Sequence, residues 1–242
     1  MRRREIFSSD SGKEDQMNQG TAVVLLSGGL DSTTVLYWAI RQGFRPVAVI
    51  FDYGQRHRRE IAAARAICRR AGVPFHRLRL SLPWKGSSLL DPRAKIRKVS
   101  NPSEIGDDIP DTYVPARNTI FLAFGLSCAE ALGAGRVLIG ANALDYSGYP
   151  DCRPDYIRAM QRVYGLGTKA GRQGREIKIM APLLRLSKAE IVKLGARLGV
   201  PWELTWSCYR GGARPCGVCD SCLLRARGFA QAGIEDPLVD RA

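Results

Sequence analysis

Ser27-Gly28-Gly29-Leu30-Asp31-Ser32-Thr33-Thr34 lies between the apolar run Thr21-Ala22-Val23-Val24-Leu25-Leu26 and the helical pattern Val35-Leu36-Tyr37-Trp38-Ala39-Ile40. Strand, glycine turn and helix start, in that order, build an anion site. Glycines let the backbone approach a phosphate, and the free N–H groups and positive dipole end of the helix point at it. The stretch lacks the Gly-Lys-[Ser/Thr] ending of a Walker A loop. In its place stands a carboxylate, Asp31, flanked by the hydroxyls of Ser27, Ser32, Thr33 and Thr34. A carboxylate beside phosphates implies a bridging cation, most simply Mg²⁺. A Gly-Gly turn can also be a plain strand-to-helix connection; the hydroxyls and the acid favour the phosphate reading.

Outward from this loop, the chain alternates strand-like and helical patterns. Strands are expected over 22–26, 46–51, 75–80, 136–140 and 177–180, with helices over 31–42, 58–71, 117–132 and 154–164. Such alternation predicts an α/β fold: a parallel twisted sheet of about five strands with helices on both faces. Ligands should then sit off the carboxyl ends of the strands. The stretch 119–132 (Ile120, Phe121, Leu122, Phe124, Leu126, Cys128) is apolar nearly all round, which places it deep in the core. Residues 81–115 carry little period and read as a long, functional or mobile loop. Beyond Pro182 a basic amphipathic helix is expected over 187–198, with Ser187 and Glu190 as a capping box.

The 242 residues suffice for one such domain and a small appendage, with no apolar run near the ~20 residues of a membrane span. Met1-Arg2-Arg3-Arg4 is not followed by an apolar stretch, so no signal peptide is read, and a cytoplasmic protein is expected. The expected organisation is a disordered polar leader over 1–20, a nucleotide-binding α/β domain over 21–182 and a C-terminal helical region over 183–242. The formal net charge of +14 suits a nucleic-acid surface or small polyanions. Its basic residues are spread along the chain instead of forming one aromatic-interleaved patch, so direct nucleic-acid binding is not expected.

Three further stretches fall on the same sheet edge. In Phe51-Asp52-Tyr53-Gly54-Gln55-Arg56-His57, Gln55 and Arg56 are candidates for a base or phosphate and His57 for the ligand, or the whole is a helix cap. In Tyr113-Val114-Pro115-Ala116-Arg117-Asn118-Thr119, Arg117 and Asn118 sit at a helix N-terminus, where a cation is unfavourable unless an anion joins it. The third, 141–154, gathers Asp145, Tyr146, Tyr149, Asp151, Cys152 and Arg153. Tyrosines stack on a heteroaromatic ring, and Asp and Asn read its polar edges. Cys152 is taken as a wall of the site, because no histidine is placed to activate it. Asp107, Asp108 and Asp111 read as a solvated loop. Cys208-x7-Cys216-x2-Cys219-x2-Cys222 is a strong metal-site spacing. Four thiolates with no open position match structural tetrahedral zinc, with an iron–sulfur cluster as the rival.

The loop Ser27-Gly28-Gly29-Leu30-Asp31-Ser32 resembles that of the PP-loop ATP pyrophosphatases, whose fold is Rossmann-like, of the adenine nucleotide α-hydrolase type. Within them, residues 21–237 resemble the 7-cyano-7-deazaguanine synthases of the queuosine pathway. The likeness rests on SGGLDST (27–33), FDYGQRH (51–57), YVPARNT (113–119), NALDYSGYPDCRP (142–154), TWSCY (205–209) and the four cysteines, in that order. The resemblance implies an ATP-dependent ligase converting 7-carboxy-7-deazaguanine and ammonia into the nitrile preQ0 through two adenylations and an amide. It implies ATP along Leu26, Ser27, Gly28, Gly29, Leu30, Asp31, Ser32, Thr33, Thr34, Val35 and Leu36, with Asp31 on Mg²⁺. Arg117 and Lys188 become candidates for the charge at the α-phosphate. Asp145, Tyr146, Tyr149, Asp151 and Arg153 become candidates for the deazaguanine. A structural zinc and a homodimer are also implied. The competing readings are a PP-loop enzyme that modifies tRNA directly and a zinc-stabilised ATP sensor.

Overall fold

The computed structural model describes residues 20–239 other than 85, 92, 100–107 and 145–147. Residues 1–19 of the leader, Asp107, Asp145 and Tyr146 therefore lie outside the described residues. Five strands, β1 (Thr21–Leu25), β2 (Arg45–Asp52), β3 (Phe75–Arg79), β4 (Arg136–Leu138) and β5 (Lys178–Met180), form one sheet in the order β3-β2-β1-β4-β5. Every pairing is parallel, with Val23 opposite Val47 on one side and Val137 on the other.

Alternation along the strands explains the layers. Val23, Leu25, Val49, Phe51 and Val137 face one side, packing with α3 (Arg117–Ala131) and α4 (Pro154–Gly167). Ala22, Val24, Ala48, Ile50 and Leu138 face the other, under α1 (Leu30–Arg41), α2 (Arg59–Ala71), α6 (Lys188–Leu198) and α7 (Asp220–Ala232). Strands apolar on both faces need cover on both, so the central strand β1 reads as an unbroken hydrophobic run. A single turn of helix, α5 (Lys169–Arg172), joins α4 to β5. The capping box that starts α6 forms between Ser187 and Glu190.

Helix α3 departs from the sequence expectation of a helix deep in the core. Its buried stripe is Asn118, Leu122, Gly125 and Ala129, while Phe124 and the C-cap residue Leu132, each 38% exposed, face outward. A helix in an outer layer has the sheet on one side only, whatever the chemistry of its other face. The long loop also does more than connect. Leu89, Ile96, Val99 and Val114 are buried, and Val99 N–H donates to the Val218 carbonyl at 2.9 Å. It thereby packs the cysteine-rich segment against the sheet edge.

Strand order reverses between β1 and β4, opening a crevice at their carboxyl ends. Gly140, just past β4, lets the start of α1 close on that crevice. A Cβ there would lie 2.9 Å from Ser32 N and 3.2 Å from Asp31 C. Backbone cannot yield as a side-chain tip can. Gly140→Ala is therefore expected to cost about 1–3 kcal/mol in urea unfolding, with an unchanged m-value. A neutral result would show that α1 is free to shift.

Candidate active site

The loop after β1 is shaped by what packs behind it. Gly28 has φ +84°, and a Cβ would overlap the Glu60 carbonyl and lie 2.5 Å from Ala64 N at the start of α2. Only glycine satisfies both demands. Ser32 Oγ accepts from Ser27 N–H at 3.2 Å and hydrogen-bonds Ser27 Oγ at 2.9 Å. Leu26, Ser27, Gly29, Leu30, Asp31 and Ser32 line the cleft. The remaining expected loop contacts point elsewhere. Thr33 Oγ1 donates to the Gly29 carbonyl at 2.7 Å and Thr34 Oγ1 to that of Leu30 at 2.9 Å, bracing the first turn of α1. Val35 and Leu36 are wholly buried in the core. Those two side chains pack in the core beneath the loop.

Asp31 meets Lys188 across the cleft. The Lys188 ammonium donates to Asp31 Oδ1 at 2.8 Å and Oδ2 at 2.9 Å. Lys188 occupies the first position of α6, where the helix dipole opposes a cation. Close approach to α7 directs its stem, since a Cβ on Gly228 would overlap Lys188 Cγ. Two residues distant in sequence are thus held as one ion pair at the mouth of the phosphate loop.

The opposite wall is aromatic. Phe51 and Phe121 stack with centroids 3.9 Å apart, and Tyr53 meets Phe121 edge-on at 5.4 Å. Tyr149 and Tyr209 extend the wall, Tyr149 sharing a 2.8 Å hydrogen bond with Thr112. Arg117 enters here and donates to Tyr53 Oη at 3.4 Å. Burial pushes the Tyr53 phenol up to about 12, so it stays neutral. The residue before α3, Ala116, has φ +53°, the one positive φ outside glycine among the described residues. That turn sets the direction of Arg117 and Asn118.

Asn118 lines the cleft, but its main role is to join two segments. Its N–H donates to Asp151 Oδ2 at 3.0 Å, and its side-chain amide donates to the Asp151 carbonyl at 3.1 Å and to Cys152 Sγ at 3.3 Å. Asp151 accordingly caps α3 from beneath and does not reach the cleft; its carboxyl is raised by burial, against the Asn118 bond. Arg153 is exposed at the start of α4 and is not among the described residues lining the cleft. Burial, and then the neighbouring Asp151, push the Cys152 thiol up to about 12. A neutral thiol is a poor nucleophile, which fits Cys152 as a wall.

After β2 the expected ligands are redistributed. Gln55 is 1% exposed and spends its amide internally: Oε1 accepts from Tyr53 N–H at 2.8 Å, and Nε2 donates to the Phe51 carbonyl at 3.0 Å and Glu60 Oε1 at 2.9 Å. Arg56 Nη1 donates to the Ser88 and Ala94 carbonyls, at 3.3 and 2.5 Å, and so pins the long loop. Neither is among the described residues lining the cleft. His57 does line it, with Nε2 3.0 Å from Glu60 Oε2. Glu60, Phe121, Trp206, Ser207 and Tyr209 also border the cleft. The sequence signal for Trp206 to Tyr209 was the TWSCY stretch beside a metal ligand; Glu60 looked like an ordinary first-turn acid.

The four cysteines converge. Their sulfurs all lie within 4.8 Å of one another, Cys216 and Cys222 at 4.0 Å. Four soft donors at this separation suit one tetrahedral ion, whose ~2.3 Å bonds need only a small contraction. A cubane cluster ligates its cysteines on separate irons and needs them further apart. No cysteine of the group borders the cleft, yet the group is tied to it. Trp206 N–H donates to the Gly28 carbonyl at 2.9 Å, while its indole N–H donates to the Cys208 carbonyl at 3.0 Å. Arg59 lies 4.8 Å over the indole ring.

The family model described as queuosine biosynthesis protein QueC matches residues 21–233. The 7-cyano-7-deazaguanine synthase of Nostoc punctiforme is 57% identical over 220 residues, covering 90% of this chain and 98% of its own length. That of Thermoplasma volcanium is 52% identical over 219 residues, covering 90% and 89%. Among solved structures, the NMN synthetase of Francisella tularensis is 14% identical with a TM-score of 0.48, covering 92% of this chain and 80% of that one. Sheet order, phosphate loop and four-cysteine group thus come with a family match over nearly all the described residues: the chain belongs to the QueC family of queuosine biosynthesis proteins.

Proposed function

We propose that this chain is an ATP-dependent carbon–nitrogen ligase, a 7-cyano-7-deazaguanine synthase. The observation that carries the reading is the juxtaposition in one cleft of a phosphate loop, an aromatic wall and Arg117, in a chain 57% identical to a protein of that name. The relatives' names favour this small-molecule reading over direct tRNA modification.

The proposed chemistry fits the contents of the cleft. The substrate carboxylate attacks the α-phosphorus of ATP, and pyrophosphate leaves into the loop of Ser27, Gly28, Gly29 and Ser32. Ammonia adds to the acyl carbon and expels AMP, giving the amide. The amide oxygen then attacks a second ATP, and loss of AMP and a proton leaves the nitrile. Lys188 and Arg117 stand where negative charge builds up at the α-phosphate. Mg²⁺, held by Asp31 with the Ser27 and Ser32 hydroxyls, would neutralise the departing pyrophosphate. Asp31 would then exchange Lys188 for the metal, freeing the ammonium for phosphate.

Zinc on Cys208, Cys216, Cys219 and Cys222 is structural in this account. Its contribution reaches the reaction only through Trp206 and Gly28. The enzyme works in the cytoplasm as a homodimer, the outward face of α3 around Phe124 and Leu132 offering apolar surface for a second copy.

Protein, ATP, Mg²⁺, ammonia and 7-carboxy-7-deazaguanine should yield the nitrile with two AMP per product. Asp31→Ala should lower kcat by roughly 10²–10³-fold while remaining folded. ADP as product, or full activity in Asp31→Ala, would contradict the assignment. Metal analysis should find one zinc per chain. Stripping it with a chelator should lower the melting temperature and weaken binding of a non-hydrolysable ATP analogue, because Cys208 carries the Trp206 contact to Gly28. Unchanged nucleotide affinity in a folded, zinc-free chain would separate the metal from the loop.

A further inference from the structure

Glu60 is a carboxylate on the cleft wall that the reaction above does not use. It is pinned from both sides, Oε1 accepting from Gln55 Nε2 at 2.9 Å and Oε2 lying 3.0 Å from His57 Nε2. Gln55 and His57 are themselves 1% and 3% exposed, so the carboxylate is held in one orientation by buried partners. Asp31, the other carboxylate among the described residues lining the cleft, is bound by Lys188. Arg117 borders the same cleft. Tyr53 spans the two: its phenol accepts from Arg117, and its backbone N–H donates to the Gln55 that carries Glu60.

A flat ligand lying along Tyr53 would meet both a cation and a carboxylate. 7-Carboxy-7-deazaguanine has the opposite pattern. Its carboxylate is on the five-membered ring, and the far edge of the six-membered ring presents two adjacent donors, the ring N–H and the 2-amino group. A carboxylate offers acceptors only, and each oxygen of Glu60 has a lone pair left after its internal bond. Adenine presents a donor beside a bare ring nitrogen, which a carboxylate would repel. We infer that Glu60, held by Gln55 and His57, is the specificity-determining residue that reads the two-donor edge of the guanine-type base.

The inference rests on the functional reading above, and one set of measurements separates the two. Calorimetry on the full-length zinc-loaded chain compares 7-carboxy-7-deazaguanine with the same base lacking its 2-amino group, for wild type and Glu60→Gln. The wild type should bind the base without the 2-amino group about 10- to 100-fold more weakly, the worth of one hydrogen bond to a charged group. Glu60→Gln should weaken the parent base by a similar factor and shrink the difference between the two bases to a few-fold. Its affinity for a non-hydrolysable ATP analogue should be unchanged. The wild-type comparison needs no variant, so it decides even if Glu60→Gln fails to fold: equal binding of the two bases overturns the assignment. Full discrimination in a folded Glu60→Gln, or a loss confined to the ATP analogue, overturns it while leaving the ligase reading intact. A wild type that neither binds nor consumes the carboxylated base overturns both.

Discussion

The hydrogen bond from Trp206 N–H to the Gly28 carbonyl joins the parts of this molecule that must act together. Gly28 is already pressed against the first turn of α2, with no room for a side chain. Trp206 closes it from the other side and is itself tied to Cys208. The loop proposed to receive phosphate is therefore gripped between a helix end and the base of the four-cysteine group. Loops on a rigid frame hold ligands more exactingly than loops free in solvent. Here the frame is assembled from segments separated by nearly the whole domain.

The Asp31–Lys188 pair is the second constraint. With Asp31 about a quarter exposed and Lys188 nearly buried, water screens the pair only in part. Removing one partner of a fully buried pair costs about 3–5 kcal/mol, and partial exposure reduces that here. The pair holds both groups in place before a ligand arrives. Its geometry also explains why a lysine is tolerated at the first position of a helix. The carboxylate that compensates it belongs to a different helix, so nothing within 187–198 could reveal it.

The five strands were legible because they are apolar on both faces and bounded by turns, and the helices between them because their patterns have one polar side. Helix α3 was misplaced for the converse reason: a stretch without amphipathic contrast does not say whether its second face meets protein or solvent. Helix α7 was not delimited, because its first turn contains a metal-site cysteine that drew the whole stretch into the cluster. At the site, the sequence located each motif on the correct sheet edge but could not orient side chains. Gln55, Arg56 and Asp151 are polar residues in the right motifs whose bonds are spent inside the protein. Glu60 had the opposite fate, an unremarked acid turned onto the cleft wall by Gln55 and His57.

The account holds that both oxygens of the substrate carboxylate leave as oxygens of AMP, one in each adenylation. Oxygen-18 in both carboxylate positions of 7-carboxy-7-deazaguanine tests this directly, with mass spectrometry of the products. Two AMP molecules each carrying one label, and unlabelled pyrophosphate, are the predicted result. Label in pyrophosphate, in inorganic phosphate or in solvent water would contradict attack at the α-phosphorus by the substrate's own oxygens.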